Sequence, residues 1–281
     1  MYLTDFRFLF KLSHFQCGSF FVFLFGGFSV YDFFTEELLK ILLIDRTTGK
    51  NIMWATDDYA EFEYDATNEI KPAQINLIKP RYEKTRELKK LRTRHKGEIF
   101  TTSNICQQQN KLIDAKRTDW QAYVKYTVLE ITCGEAPYLV SRYDNVTGEE
   151  IKLENRVGML DKKLHIVNEN CNDKDSWEYW AKTAVQSVYG YELQGDNLFL
   201  ARKNILLTYA EYCAEKFKIT PAINMLKEIA EIISWNLWQM DGLTNALPYF
   251  GTDKQEGFFD PKVYCRIKDW KNNVELEFRN L

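Results

Sequence analysis

Three strand-like segments, each ending in an acid, carry the chemistry legible in this chain. Tyr189-Gly-Tyr-Glu-Leu-Gln-Gly195 reads as a short strand ending at Glu192 and then a turn. The helix that follows carries Leu198, Ala201 and Ile205 at helical spacing. A carboxylate at such a strand end can accept hydrogen bonds from both hydroxyls of a ribose. Leu129-Glu-Ile-Thr-Cys-Gly-Glu-Ala-Pro137 sets Glu130 beside a glycine turn at Gly134, where backbone can approach a ligand closely. Ile232 to Asp241 ends in a third acid, with Gly242 behind it, placed to accept from an exocyclic amine of adenine. A glycine turn, a ribose acid and an adenine acid describe a site for an adenosine-containing cofactor. The G-x-G-x-x-G of dinucleotide-binding proteins is absent, which disfavours NAD.

The elements that must position these acids follow from periodicity. Leu38 to Asp45 reads as a helix or strand, followed by a turn at Arg46–Lys50 and a short strand from Ile52. Ser103 or Thr102 can cap a helix through Ile105, Gln109, Leu112 and Ile113, and Trp120–Lys125 is a short helical piece. Tyr126–Thr132 is a β-rich run, and Tyr138–Tyr143 begins a further element. Residues 151–170 show no regular pattern. Trp177, Trp180, Ala181, Ala184 and Val188 share a helical face, and a helix over Ala222–Ile233 follows Pro221. Strands alternating with helices predict an α/β fold with a mostly parallel sheet, preceded by an N-terminal extension.

The 281 residues suffice for one large domain or two modest ones, and a formal net charge of −3 argues against a wholly basic nucleic-acid coat protein. Six cysteines are scattered without a C-x-x-C pair, so neither a zinc site nor a disulfide framework is expected, and a cytoplasmic location is. Cys133 reads as a packing residue, and Trp235 and Trp238 read as core. His14, His95 and His165 form no metal or acid–base spacing. Residues 1–35 are a phenylalanine-rich extension. The run Cys17–Val30 is long enough for a signal core but short for a bilayer span, so no stable membrane association is expected. Residues 36–96 form an N-terminal region whose segment Lys79–Lys96 holds nine Lys/Arg against two Glu. That run is a solvated helix face with Leu88 and Leu91 as its seam, or a contact for the phosphate backbone of double-stranded DNA. Residues 97–281 form the cofactor domain.

At these residues the chain resembles the S-adenosylmethionine-dependent N6-adenine DNA methyltransferases, the modification subunits of restriction–modification systems. Gly97-Glu-Ile-Phe-Thr-Thr102 is similar to the family's G-x-x-F-T-P segment, which implies Phe100 and Thr101 at the methionine end of the cofactor. Leu129–Leu139 resembles the D-P-A-C-G-S-G loop, implying Glu130, Cys133 and Gly134 at the cofactor. The segment after Tyr189 resembles the strand-acid motif, implying Glu192 on the ribose and Leu193 on the adenine face. Asn236–Leu243 resembles the next motif, implying Asp241 at the adenine amine. The resemblance implies an incomplete methyltransferase-type sheet, methyl transfer to adenine N6, and a restriction or specificity subunit as a further partner.

The departures are specific. Thr102 stands for the usual proline, Ala136-Pro137 for the second glycine, and the long spacing from Gly134 to Glu192 implies an insertion between about Asp144 and Trp180. The catalytic [DN]-P-P-[YF] is missing: Leu247-Pro-Tyr-Phe250 and Phe259-Asp-Pro-Lys262 do not fit it. The expectation is a chain that stops short of that motif, binds cofactor and has no catalytic residue of its own. A non-catalytic DNA-binding or assembly subunit, or a decayed fragment, is the alternative.

Overall fold

A computed structural model describes residues 34–113, 119–248 and 262–281, so most of the phenylalanine-rich extension lies outside the described residues. The first helix, α1 (Glu36–Leu43), starts where the Thr35 hydroxyl accepts the Leu38 N–H at 3.3 Å, and it buries Leu38, Leu39, Leu42 and Leu43. Beyond it the chain turns at Asp45, whose carboxylate takes the Thr48 N–H, and returns through single bridges, Ile44 to Asn51 and Met53 to Glu69. The basic run forms α2 (Arg86–Lys96), capped by Thr85 and closed by left-handed Gly97. Its buried residue is Arg92, while Leu91 is exposed. The expected leucine seam is therefore replaced by an arginine seam, because the facing surface is acidic rather than apolar.

Then come α3 (Ser103–Ile113), α4 (Trp120–Lys125) and β1 (Val128–Glu130), a strand shorter than the β-rich run around it. The element expected to begin at Tyr138 is a turn at Tyr138 and Leu139, followed by a single bridge from Tyr143 to Glu150. The stretch without a legible pattern contains α5 (Met159–Asn170). Its start is held by Asp161, whose carboxylate accepts the N–H groups of Gly158 and Ser141 at 3.1 and 2.7 Å. With α6 (Lys174–Gln186), this helix fills most of the span expected as an insertion. The remaining elements are β2 (Val188–Glu192), α7 (Gly195–Phe217), α8 (Ile223–Asn236) and β3 (Leu237–Gln239), followed by an antiparallel hairpin of β4 (Arg266–Asp269) and β5 (Val274–Glu277).

The fold is mixed α/β. β1, β2 and β3 form a parallel sheet in that order, with Glu130 opposite Gly190 and Glu192 opposite Gln239. One core cluster joins Leu38, Leu42, Trp54 and Ile70 to Leu164, Trp177, Ile205, Ala230 and Leu237, so residues 36–78 pack with the sheet and its helices. A smaller cluster under the hairpin holds Trp238, Met240, Cys265 and Ile267. Trp235 and Trp238 are both buried, as their spacing predicts. Among the described residues no helix is long and apolar enough to cross a membrane.

Helix α7 is buried along nearly its whole length, and two of its residues fix where it lies. Gly195 packs against the Met53 carbonyl so closely that an added Cβ would stand 1.9 Å from that oxygen. Arg202, fully buried, donates to the carbonyls of Leu42, Ile44, Ser234 and Leu237. These carbonyls belong to the C-terminal ends of α1 and α8, which lack helical partners and carry partial negative charge. Burial lowers the guanidinium pKa to about 9. Arg202→Met would leave those carbonyls buried and unmet, and is expected to cost about 3 kcal/mol or more in urea unfolding. A loss under about 1 kcal/mol would show that Arg202 does not tie these ends together.

Candidate functional site

A cavity of about 770 Å³ opens at the carboxyl ends of β1, β2 and β3. All eight residues singled out from the sequence line it: Phe100, Thr101, Glu130, Cys133, Gly134, Glu192, Leu193 and Asp241. They come from four separate stretches, brought together because parallel pairing puts the three strand ends side by side.

The loop after β1 is held from both sides by the two strand-end acids. Glu192, 8% exposed, accepts the Gly134 N–H at 2.8 Å on one oxygen and the Gln194 N–H at 3.1 Å on the other. Glu130 accepts the Tyr138 and Leu139 N–H groups at 3.3 and 3.2 Å. The Cys133 N–H reaches the Tyr191 carbonyl at 2.8 Å, so the loop folds back onto β2. Thr132, Gly134 and Ala136 all take positive φ, a conformation costly for the two residues that carry a Cβ. At Gly134 a Cβ would also press on the Phe100 ring at 3.4 Å. Arg81 lies over that ring at 4.8 Å while pairing with Glu98 at 2.7 Å, which holds Phe100 in the cavity wall.

The two acids are unusual in their surroundings. Burial raises the Glu192 pKa, opposed by the N–H groups of Gln194 and Gly134. Burial likewise pushes Glu130 up to about 8, with the Glu192 charge adding to the shift. None of the leading influences on either group is a cation. Each carboxylate oxygen keeps lone-pair capacity after its one backbone bond. The cavity wall is thus rich in acceptors, and it suits a ligand that brings donors.

Asp241 lies past β3 in a tight turn, its carboxylate accepting the Leu243 N–H at 2.8 Å, and Gly242 packs against the Tyr191 ring. Cys133 is 2% exposed, and burial holds its thiol well above the ordinary range, so it is a packing residue rather than a nucleophile. Among the described residues no group of three or more His, Cys, Asp or Glu is placed to hold a metal ion.

Sequence reasoning missed the second wall. Asn110 and Asn197 both line the cavity, are at most 1% exposed, and each leaves its Oδ1 without a hydrogen-bond partner. No local signal marks an asparagine inside a helix as ligand-facing. Behind Asn197 stands a closed ion cluster. Arg92 pairs with Asp58, Glu98 and Asp196, Lys84 pairs with Asp196 at 2.9 Å, and Arg81 pairs with Glu98. Three cations of the basic run are therefore spent inside the protein. Lys79, Arg86, Lys90, Arg94 and Lys96 remain exposed.

Comparison of the chain with models of protein families, with curated proteins and with solved structures finds no match.

The raised Glu130 pKa has a definite sign in linkage. Between the unfolded carboxylate value and about 8, the native state holds a proton that the unfolded state has lost, so stability falls as pH rises through that window. Glu130→Gln keeps one oxygen, for one of the two N–H groups, and removes the titration. It is expected to flatten the pH dependence of urea midpoints between about pH 5 and 8; an unchanged profile would count against this protonation state.

Proposed function

We propose that the chain binds S-adenosylmethionine in the cavity at the ends of β1, β2 and β3. On this reading it forms the cofactor-binding part of a DNA methyltransferase that acts on adenine N6 within a restriction–modification system. The carrying observation is the pair of strand-end acids, Glu130 half-buried and Glu192 buried, each held by backbone N–H groups around a left-handed glycine loop. A cationic adenosyl compound matches this in charge and in hydrogen bonding. It brings an ammonium, two ribose hydroxyls and an adenine amine, against a wall of carboxylate and amide oxygens. The four segment resemblances support the same reading, and the three-stranded parallel sheet is compatible with it.

When bound, S-adenosylmethionine supplies an electrophilic methyl group on a sulfonium. The chain's residues do the positioning. Glu192 takes the ribose hydroxyls with the lone pairs left over from its backbone bonds, and Leu193 packs against the adenine. Asp241 receives the adenine amine. Phe100 and Thr101 close the methionine end, with Gly134 admitting the ring of Phe100. A cation at the strand ends would draw the proton from Glu130, which favours the charged cofactor over its neutral demethylated product.

The amine-holding tetrapeptide [DN]-P-P-[YF] occurs nowhere in the 281 residues. Cofactor binding without methyl transfer is therefore expected of the chain alone. Calorimetric titration with S-adenosylmethionine should show one site, and Glu192→Ala should weaken it by roughly tenfold or more, about 1.4 kcal/mol. A well-folded chain that takes up no cofactor, or binds equally well with the alanine, would sink the assignment.

The exposed cations of α2 favour double-stranded DNA as a partner. A charge-reversal test must spare Arg81, Lys84 and Arg92, because these hold the protein together. Arg86→Glu, Lys90→Glu and Arg94→Glu combined should leave the thermal midpoint nearly unchanged. They should also lower DNA affinity and flatten its salt dependence, since up to three phosphate contacts are lost. DNA binding with an unaltered salt slope would place the contact elsewhere.

A further inference from the structure

Strand β1 is bare on two sides. It pairs with β2 alone, so one edge of the three-stranded sheet has no strand beside it among the described residues. The Val128 N–H donates to the Ser187 carbonyl, just before β2. Alternate residues of a parallel strand turn their peptide groups to opposite sides, so those of Leu129 turn to the open edge. One face is bare as well. Leu129 stands opposite Tyr189, and Tyr189 and Tyr191 pack under the β4–β5 hairpin, whose apolar cluster stops short of β1. Leu129 is 42% exposed and Ile131 63%, and both line the cavity with exposed Ile99 and Ile113. Parallel sheets are almost always covered on both faces, and an open apolar edge recruits a further strand.

The two sides of this edge constrain what completes it. A strand added beside β1 would have the helices on one face and the side of Leu129 and Ile131 on the other. Both of its faces would be covered, so its sequence would be a continuous apolar run rather than an alternating one. The chain holds such a run ahead of the described residues. Phe20-Phe-Val-Phe-Leu-Phe25 is uncharged and almost wholly aromatic or β-branched, with Gly18-Ser19 before it and Gly26-Gly27 after it. Phe34, the first described residue, packs on the main core with the Lys203 Nζ 5.7 Å from its ring centre. Asn204, next along α7, donates to the Glu135 carbonyl in the loop after β1. The chain therefore enters the body beside the turn of α7 that touches this loop. Eight residues lie between Phe25 and Phe34, enough to span roughly 25 Å.

We infer that the open edge of β1 is the docking site for Phe20–Phe25 of the same chain, which pairs there as a fourth strand and covers Leu129 and Ile131. The segment then belongs to the fold, and it walls the cavity on the β1 side whatever ligand the cavity takes. A second copy of the chain is the competing occupant.

The test is photo-cross-linking of the whole chain with p-benzoylphenylalanine in place of Leu129, in an equal mixture of unlabelled and isotope-labelled chains. Cross-links are expected to peptides that contain Phe20–Phe25, with both halves carrying the same label. The same probe in place of Tyr179, exposed on α6, should give none of them. Cross-links between differently labelled chains would assign the edge to a second copy and overturn the proposal. So would cross-links confined to other segments, or none at all. Hydrogen exchange reads the same pairing in the wild-type chain. The amides of Leu129 and of Phe20–Phe25 should exchange roughly a hundredfold or more slower than in unstructured peptide. Exchange of Phe20–Phe25 at the unstructured rate, or an intact mass that lacks these residues, would overturn the proposal without any variant having to fold.

Discussion

Asp196, in the first turn of α7, is the charge around which much of this protein is organised. It is fully buried, and Lys84, Arg92 and Tyr59 all donate to it. Arg92 in turn reaches Asp58, Glu98 and Gln194. With Arg81 included, three acids and three bases close into a neutral cluster. The neighbouring cations hold the Asp196 carboxyl far below the usual carboxylate range despite its burial. Its stabilising contribution is complete at neutral pH and is lost as pH falls below the unfolded carboxylate value. Removing one member would strand a buried charge, at a cost of about 3–5 kcal/mol. This cluster ties α2 to the start of α7 and sets the course of residues 97–101 along the cavity.

The cavity obeys the opposite rule. Within the ion cluster behind it the buried charges are matched, whereas Glu130 and Glu192 face it with backbone N–H groups and each other. Acids withdrawn from water without a counter-ion, left-handed Thr132 and Ala136, and two orphaned amide oxygens are all costs to the folded state. They meet at one place, where the three strands end. Costs that coincide in this way mark a surface shaped for something other than stability. The rigid cluster on one side and Arg202 on the other hold that surface still.

Local pattern carried some of this architecture plainly. The 3.6-residue spacing of Trp177, Trp180, Ala181 and Ala184 marks α6. The strand-end acids were legible because a strand followed by an acid and a glycine turn is a short, contiguous signal. Helix α5 was not, because its start is secured by Asp161 reaching back to Ser141 and Gly158 rather than by a hydroxyl cap. β1 is shorter than its β-rich surroundings because the Cys133 N–H turns the chain onto β2. The role of Arg92 could not be read from a run of nine cations that look alike in sequence.

By itself, the order of residues determined which positions end strands, where the acids and glycines fall, and that helices alternate with strands. These depend on contacts a few residues apart. Tertiary structure alone decided which cations of Lys79–Lys96 face solvent and which are consumed, since that depends on Asp58, Glu98 and Asp196 arriving from elsewhere. It also decided that Asn110 and Glu130 both hold the backbone of Tyr138, one at its carbonyl and the other at its N–H. Burial and counter-charge are properties of neighbours in space. A carboxylate or an amide acquires its chemistry only when the fold has chosen those neighbours.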